Sequence, residues 1–242
     1  MKLIRHHFDT IHSTNTWAKE HVQMLSLEDL TLITASEQTQ GRGRFKRVWV
    51  SPLGGNIYAT FCFFVETDWQ NLGYIPQILA VSIAKTLAAL GAKPSLKWPN
   101  DILLSQKKVG GILCETASHV DRRCVICGIG LNINMNAEQL SQIDRPATSL
   151  FIEMGLTFDS EAVLMTLVQH FQEDLNQFLN RGFALFFKEI EKYSSLIPGQ
   201  KVRFHDNQRI VEGIFISLNP EGSITLLLTD GSLKTYYAGE FI

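Results

Sequence analysis

The segment Gln38-Thr39-Gln40-Gly41-Arg42-Gly43-Arg44-Phe45-Lys46-Arg47-Val48-Trp49 puts four cations within six residues and sets two glycines around the first of them. Glycine lets backbone N–H groups come close to an anion, and a guanidinium offers paired donors to phosphate or carboxylate. Gly41, Arg42, Gly43 and Arg44 therefore have the composition of a phosphate clamp. The segment contains no GxxxxGK[ST] and does not fit GxGxxG, so it is neither of the common nucleotide loops. Composition alone leaves two other readings open: a solvated basic hairpin, or an Arg/Gly-rich loop that binds RNA.

Other residues with chemical capacity are scattered. Ser13, Thr14 and Asn15 are helix-capping types, and Gln38 carries a donor and an acceptor on one amide. Asn100 and Asp101 follow Pro99, where they can simply make a turn. Lys108, beside Lys107, reads from the residues alone as an ordinary hairpin lysine. Gly110 and Gly111 suit either close strand packing or a ligand lying against the backbone. Trp49 offers an apolar wall at the end of the basic loop, and Asn132 a strand-end polar group. Cys124-Val-Ile-Cys127 has the spacing of a redox or metal motif but sits in a β-branched apolar run. Residues three apart on a strand face opposite sides, no second CxxC exists, and no two histidines form HxxxH. Core packing is the expected role, and no protein metal site is expected.

These residues need a scaffold. At 242 residues, 45% hydrophobic and 19% charged, the chain can bury a large core as one domain, or as one domain plus a small one. A formal charge of -2 gives no overall field to draw DNA or an anionic membrane, so the basic cluster must act locally. The N-terminus has no apolar run suited to a signal peptide, and Gln77, Ser82 and Lys85 interrupt the apolar stretch Tyr74 to Leu90, which reads as a buried helix. Four cysteines are too few for a disulfide scaffold, so a cytoplasmic protein with reduced thiols is expected.

Apolar runs predict strands at Leu3 to Phe8, Leu30 to Ser36 and Asn56 to Val65, the last central in a sheet because it is apolar on both faces. A helix is expected to start near Thr16, and another to run from about Tyr74 to Gly91. "SLKWPND" predicts a strand ending at Pro99 with "KKVGGILCET" as its hairpin partner, and "RCVICGIGLNIN" completes six or seven strands. From Ser160, Val163, Leu164, Leu167, Val168, Phe171, Leu175, Phe178 and Leu179 recur with helical spacing up to Arg181-Gly182. A short helix follows from Phe183 to Tyr193. Beyond Ile197-Pro198-Gly199, strands separated by turns at "DNQ", "NPEG" and "TDGS" predict a small SH3-like barrel. The expected architecture is α/β (α+β): a mixed β-sheet flanked by helices over residues 1–196, and the barrel over 197–242.

Six blocks, in order, resemble the biotin protein ligases: "STNT" at 13–16, "QTQGRGR" through Trp49, "SPLGGNIYATF" at 51–61, "KWPND" at 97–101, "KVGGILCE" at 108–115 and "GIGLNIN" at 128–134. The resemblance implies a catalytic domain related to class II aminoacyl-tRNA synthetase cores, followed by an SH3-like domain. It implies an enzyme that joins biotin to ATP as biotinoyl-AMP, releases pyrophosphate, and passes biotin to a lysine of a carrier protein. ATP, biotin and Mg²⁺ are the implied small molecules. The implied partner is the biotin carboxyl carrier protein of acetyl-CoA carboxylase, with neither DNA nor membrane, and a homodimer through a sheet edge is a common family arrangement. Some relatives carry an N-terminal helix-turn-helix; with the first motif at Ser13, a ligase without repressor function is expected.

By the same resemblance, Ser13, Thr14 and Asn15, together with Gln38, meet the biotin ring. Lys108 acts at the reacting carboxylate and phosphate, with Arg42 and Arg44 gathering charge beside it. Asn100, Asp101 and Asn132 fall near nucleotide, metal or incoming lysine. The basic loop becomes a lid that shields an adenylate which water would destroy. One departure stands out: the family commonly has Arg-Gly where this chain has Phe45-Lys46, which predicts a stiffer lid and altered adenylate retention. The rival readings are a lipoate or octanoate ligase on the same fold, a nucleic-acid-binding module, and a biotin-binding relative without turnover.

Overall fold

A computed structural model describes residues 1–206 and 208–242. In chain order the elements begin β1 (Leu3–Ile11), α1 (Thr14–Glu20), β2 (Leu30–Gln38), β3 (Ile57–Glu66), α2 (Ile75–Ala89), β4 (Ser95–Lys97) and β5 (Asp101–Leu104). Then come β6 (Lys107–His119), β7 (Arg122–Leu131), α3 (Ala137–Leu140), α4 (Leu150–Met154), α5 (Ser160–Arg181) and α6 (Phe187–Tyr193). The chain closes with β8 (Lys201–His205), β9 (Ile210–Leu218), β10 (Ile224–Leu228), β11 (Leu233–Tyr236) and β12 (Glu240–Phe241).

The first seven strands form one mixed sheet in the order β1-β2-β3-β7-β6-β5-β4. Only β1 and β2 run parallel; the other neighbours are antiparallel. β3 and β7, apolar on both faces, lie side by side in its interior. One face is covered by α2 and α5, whose apolar positions make the main core with the sheet. The polar interruptions of α2 are each partnered. Ser82 Oγ and Lys85 Nζ meet the buried Asp174 carboxylate at 2.8 and 2.7 Å, and Gln77 Nε2 donates to Gly222 O. The stretch Asn71–Ala89 is apolar enough to cross a membrane, yet it is mostly buried against this sheet.

On the opposite face Ala18, Val22 and Leu25, from α1 and the turn after it, pack on Ile33, Cys62, Cys124 and Ile126. Cys127 belongs to the α2–α5 side, so the two cysteines of the CxxC face opposite ways, as strand geometry requires. All four cysteines are free thiols.

Several boundaries move. β1 and β2 extend to Ile11 and Gln38 because their parallel register continues through Thr10↔Glu37 and Ile11↔Gln38. α1 starts at Thr14, not near Thr16; Ser13 alone is the N-cap, leaving the Thr14 and Asn15 side chains free for other contacts. β4 pairs with β5 rather than β6, and Asp101 opens β5 instead of ending a turn. Leu179 is 43% exposed and falls off the buried stripe of α5.

The last five strands form an antiparallel sheet, β11-β10-β9-β8-β12, consistent with an SH3-like fold. Of its expected turns, the one at "DNQ" includes Asn207, which lies outside the described residues. Its core joins Phe204, Phe215, Ile224, Leu226, Tyr236 and Phe241 to one foreign residue, Trp98. Trp98 comes from the turn between β4 and β5 and donates its indole N–H to Gly222 O at 3.0 Å.

Candidate active site

α1 covers only part of its face of the sheet. Beyond its N-terminus lies a cavity of about 500 Å³ whose wall includes Gly111 of β6 and Gly128 and Gly130 of β7. Gly111 pairs with Gly130 across the two strands. A Cβ on Gly128 would strike the Asn15 amide, and one on Gly130 the Trp49 indole, both well inside 3.0 Å. The bare backbone makes a floor on which these two side chains lie.

One end of the cavity is neutral and hydrogen-bonding. Gln38 Oε1 accepts from Thr14 N at 3.0 Å and Thr14 Oγ1 at 3.2 Å, while its Nε2 donates to Ser51 Oγ at 3.0 Å. Thr60 Oγ1 lies 2.8 Å from Thr14 Oγ1 and 2.7 Å from Asn15 Oδ1. Asn15 Nδ2 donates to Leu113 O and Glu115. A buried network of this kind fixes each donor and acceptor in place.

The other end is cationic. Lys108 Nζ is 2.6 Å from Asp101 Oδ1 and 5.3 Å from the centre of the Trp49 ring. Arg44 donates to Asn100 Oδ1 at 2.9 Å and to Gly239 O at 3.1 Å. Burial lowers the Arg44 pKa, opposed by the nearby charges of Glu240 and Asp101; a desolvated guanidinium acts more strongly on an incoming anion. The Lys108 backbone is stitched on both sides, donating to Pro146 O and accepting from Thr148 N. This pairing brings Gln142, Ile143, Asp144, Arg145 and Ala147 to the wall. Asn132, 2% exposed, donates to Thr148 O and keeps its Oδ1 unpartnered.

Thirteen of the residues singled out in the sequence therefore line one cavity: Ser13, Thr14, Asn15, Gln38, Arg42, Gly43, Arg44, Trp49, Asn100, Asp101, Lys108, Gly111 and Asn132. Two do not. A side chain on Gly41 would meet Trp49 O and Ser51 Oγ, so this glycine lets the base of the loop close. Gly110 abuts Leu131 and serves strand packing. Arg42 lines the cavity but does not share the partners of Arg44 and Lys108; its guanidinium bonds Glu115 and Thr16. Sequence reading missed Gly128, Gly130, Thr60 and the 142–147 wall. Alternate glycines in an apolar strand were the one available signal.

The profile of the Biotin/lipoate A/B protein ligase family matches residues 7–132, which hold most of this wall. The chain belongs to that family. Its relatives include the bifunctional ligase/repressor BirA of Bacillus spizizenii, 32% identical over 233 residues that cover 95% of this chain and 71% of BirA. The biotin–[acetyl-CoA-carboxylase] ligase of Mycobacterium tuberculosis is 28% identical over 205 residues, 82% of this chain and 73% of its own. Among solved structures, the Aquifex aeolicus biotin protein ligase in complex with biotin and ATP aligns with a TM-score of 0.81 at 30% identity, covering 100% of this chain and 97% of that one.

The Phe45-Lys46 pair has a conformational cost. Both residues adopt left-handed backbone angles, φ 55° and 59°, where a Cβ costs about 1–2 kcal/mol per residue. Lys46→Gly removes that strain while adding about 0.5–1 kcal/mol of unfolded-state freedom. The expected result is a urea midpoint equal to or above wild type, where glycine in a regular segment would lower it.

Glu115 ties the loop to α1. Burial pushes its carboxyl up, but hydrogen bonds from Lys19 and Asn15 and the charges of Lys19 and Arg42 prevail and hold it below the usual 4.5. Its contribution to stability is thus complete above pH 4.5 and lost as pH falls through the depressed value. Glu115→Gln is expected to flatten the acid limb of the urea midpoint against pH in that window while lowering the midpoint at pH 7.

Proposed function

We propose that the protein is a biotin protein ligase: biotin and ATP give biotinoyl-5′-AMP and pyrophosphate, and the biotinoyl group then passes to a lysine of the biotin carboxyl carrier protein of acetyl-CoA carboxylase, releasing AMP. One observation carries the reading. A single cavity has a neutral hydrogen-bonding end at Thr14, Asn15 and Gln38, a cationic end at Arg44 and Lys108, and a flat glycine floor between them. Biotin has the same polarity: a neutral ureido ring, an apolar body and a terminal carboxylate.

In this reading the ring end orients biotin so that its carboxylate reaches the Lys108 ammonium. Lys108 and Arg44 neutralise charge as the carboxylate oxygen attacks the α-phosphorus and pyrophosphate departs. The Asn132 Oδ1, buried without a partner at this cavity, fits a nucleotide N–H donor. Mg²⁺ enters on the phosphates of ATP as part of the substrate and needs few protein ligands; among the described residues, no group of three or more His, Cys, Asp or Glu is placed to hold a metal. Asp101, which faces Lys108, would accept an N–H from the incoming carrier lysine and hold its lone pair toward the acyl carbon. Trp49 on its glycine floor keeps water from the anhydride. Residues 1–196 form the catalytic domain in this assignment and 197–242 the C-terminal one; use of ATP and a carboxylase subunit goes with the cytoplasm.

Biotin-dependent ATP–pyrophosphate exchange tests the assignment, with lipoate offered in parallel. Exchange with biotin alone, followed by one biotinoyl mass increment on a carrier domain, is the expected result; exchange with lipoate alone overturns it. If the basic loop is the lid, Lys46→Gly also changes the rate of adenylate release.

A further inference from the structure

The basic loop is held from the C-terminal sheet as well as from the catalytic one. Arg44 donates to Gly239 O, Arg47 pairs with Glu240 at 2.5 Å, and the Phe45 ring meets His205 edge-on at 6.5 Å and 81°. The guanidinium carbons of Arg44 and Arg47 lie 4.9 and 5.4 Å from the Phe45 ring centre, so one aromatic ring bridges both cations. The left-handed angles at 45 and 46 are what turn this ring and Arg47 toward the sheet. The receiving side is equally fixed. Glu240 and His205 are direct cross-strand partners on β12 and β8. Gly239 is pressed against Phe204 and the His205 carbonyl so closely that a Cβ would collide with both.

We infer that the His205–Glu240 pair is a docking patch for Phe45 and Arg47, and that this docking positions Arg44 over the cavity. The role in positioning rests on the ligase reading; the docking itself does not. Phe45 is not itself part of the cavity wall but packs against Arg44 and Arg47, which are, so it acts on the site through those two cations. The patch gives the C-terminal sheet direct leverage on the reacting end of the site.

The test uses the full chain with Phe45→Ala, Glu240→Gln, the double variant, and Phe45→Tyr as the conservative control. All four retain the tryptic sites at Arg42, Arg44, Lys46 and Arg47. Both contacts are partly exposed, so each single variant is expected to speed native-state cleavage in the loop about fivefold. The same variants should raise the KM for ATP in biotin-dependent exchange about fivefold, with kcat changing less. The double variant should be no worse than either single one, and Phe45→Tyr should match wild type. Unchanged cleavage, or effects that multiply in the double variant, overturns the docking patch. Faster cleavage with an unchanged KM overturns its role in positioning Arg44. A wild-type protein without biotin-dependent exchange overturns the ligase reading, while the cleavage rates still decide the docking.

Discussion

Lys108→Ala is expected to lower kcat/KM for biotin-dependent ATP–pyrophosphate exchange about a thousandfold, about 4 kcal/mol of transition-state stabilisation. The ammonium is held by Asp101 at 2.6 Å and lies 5.3 Å from the centre of the Trp49 ring, and the backbone that carries it is fixed by bonds to Pro146 and Thr148. A cation fixed before the substrate arrives needs no reorganisation when charge develops. Truncation removes it and also leaves the Asp101 carboxylate unpaired in the cavity wall. The two side chains are only 19% and 22% exposed, so leaving Asp101 unpaired also lowers stability by about 1–3 kcal/mol, which urea denaturation measures separately from exchange. Lys108→Arg should not rescue the rate, since a planar fork cannot occupy the space of a compact ammonium beside Gly111 and Trp49. Exchange within tenfold of wild type would remove Lys108 from the chemistry.

Gly128→Ala is expected to weaken biotin binding about a hundredfold, about 3 kcal/mol. The added methyl would occupy the space of the Asn15 amide, which accepts from Thr60 at 2.7 Å and donates to Leu113 O at 3.0 Å. Moving Asn15 disturbs Thr60, then Thr14, then Gln38, so one carbon dislocates the whole neutral end. Overpacking alone should cost about 1–3 kcal/mol of stability. Gly110→Ala separates the two effects: its methyl meets Leu131 outside the cavity, so it should lose stability and keep biotin affinity. Titration calorimetry with biotin and urea denaturation measure both. Equal biotin affinity in the two variants would contradict the floor assigned to Gly128.

What could be seen in the sequence was whatever is locally unusual. The cations at 42–47 stand out in a chain of net charge -2, and the strand and helix periodicities place most of the large sheet and α5. The missed features depend on register and on distant partners. Glycine in an apolar strand signals packing of any kind, and only the pairing of Gly111 with Gly130 turns three of them into one surface. Residues 142–147 carry no motif and reach the cavity because Pro146 and Thr148 pair with the Lys108 backbone. β5 hid behind a Pro-Asn turn signal and spans only Asp101–Leu104. Phe45 and Lys46 look like an interruption until their backbone angles and His205 are known.

Trp98 illustrates the last kind: it links the chain's two sheets, and the order of synthesis gives that link a consequence. Its indole leaves the ribosome long before Phe204, Phe215 and Phe241, the rings that enclose it. Until those strands are made, the nascent enzyme carries a bare tryptophan two residues from Asn100 and three from Asp101. Strands β8–β12 supply its socket, so this corner of the catalyst is finished only after the C-terminal sheet has been made.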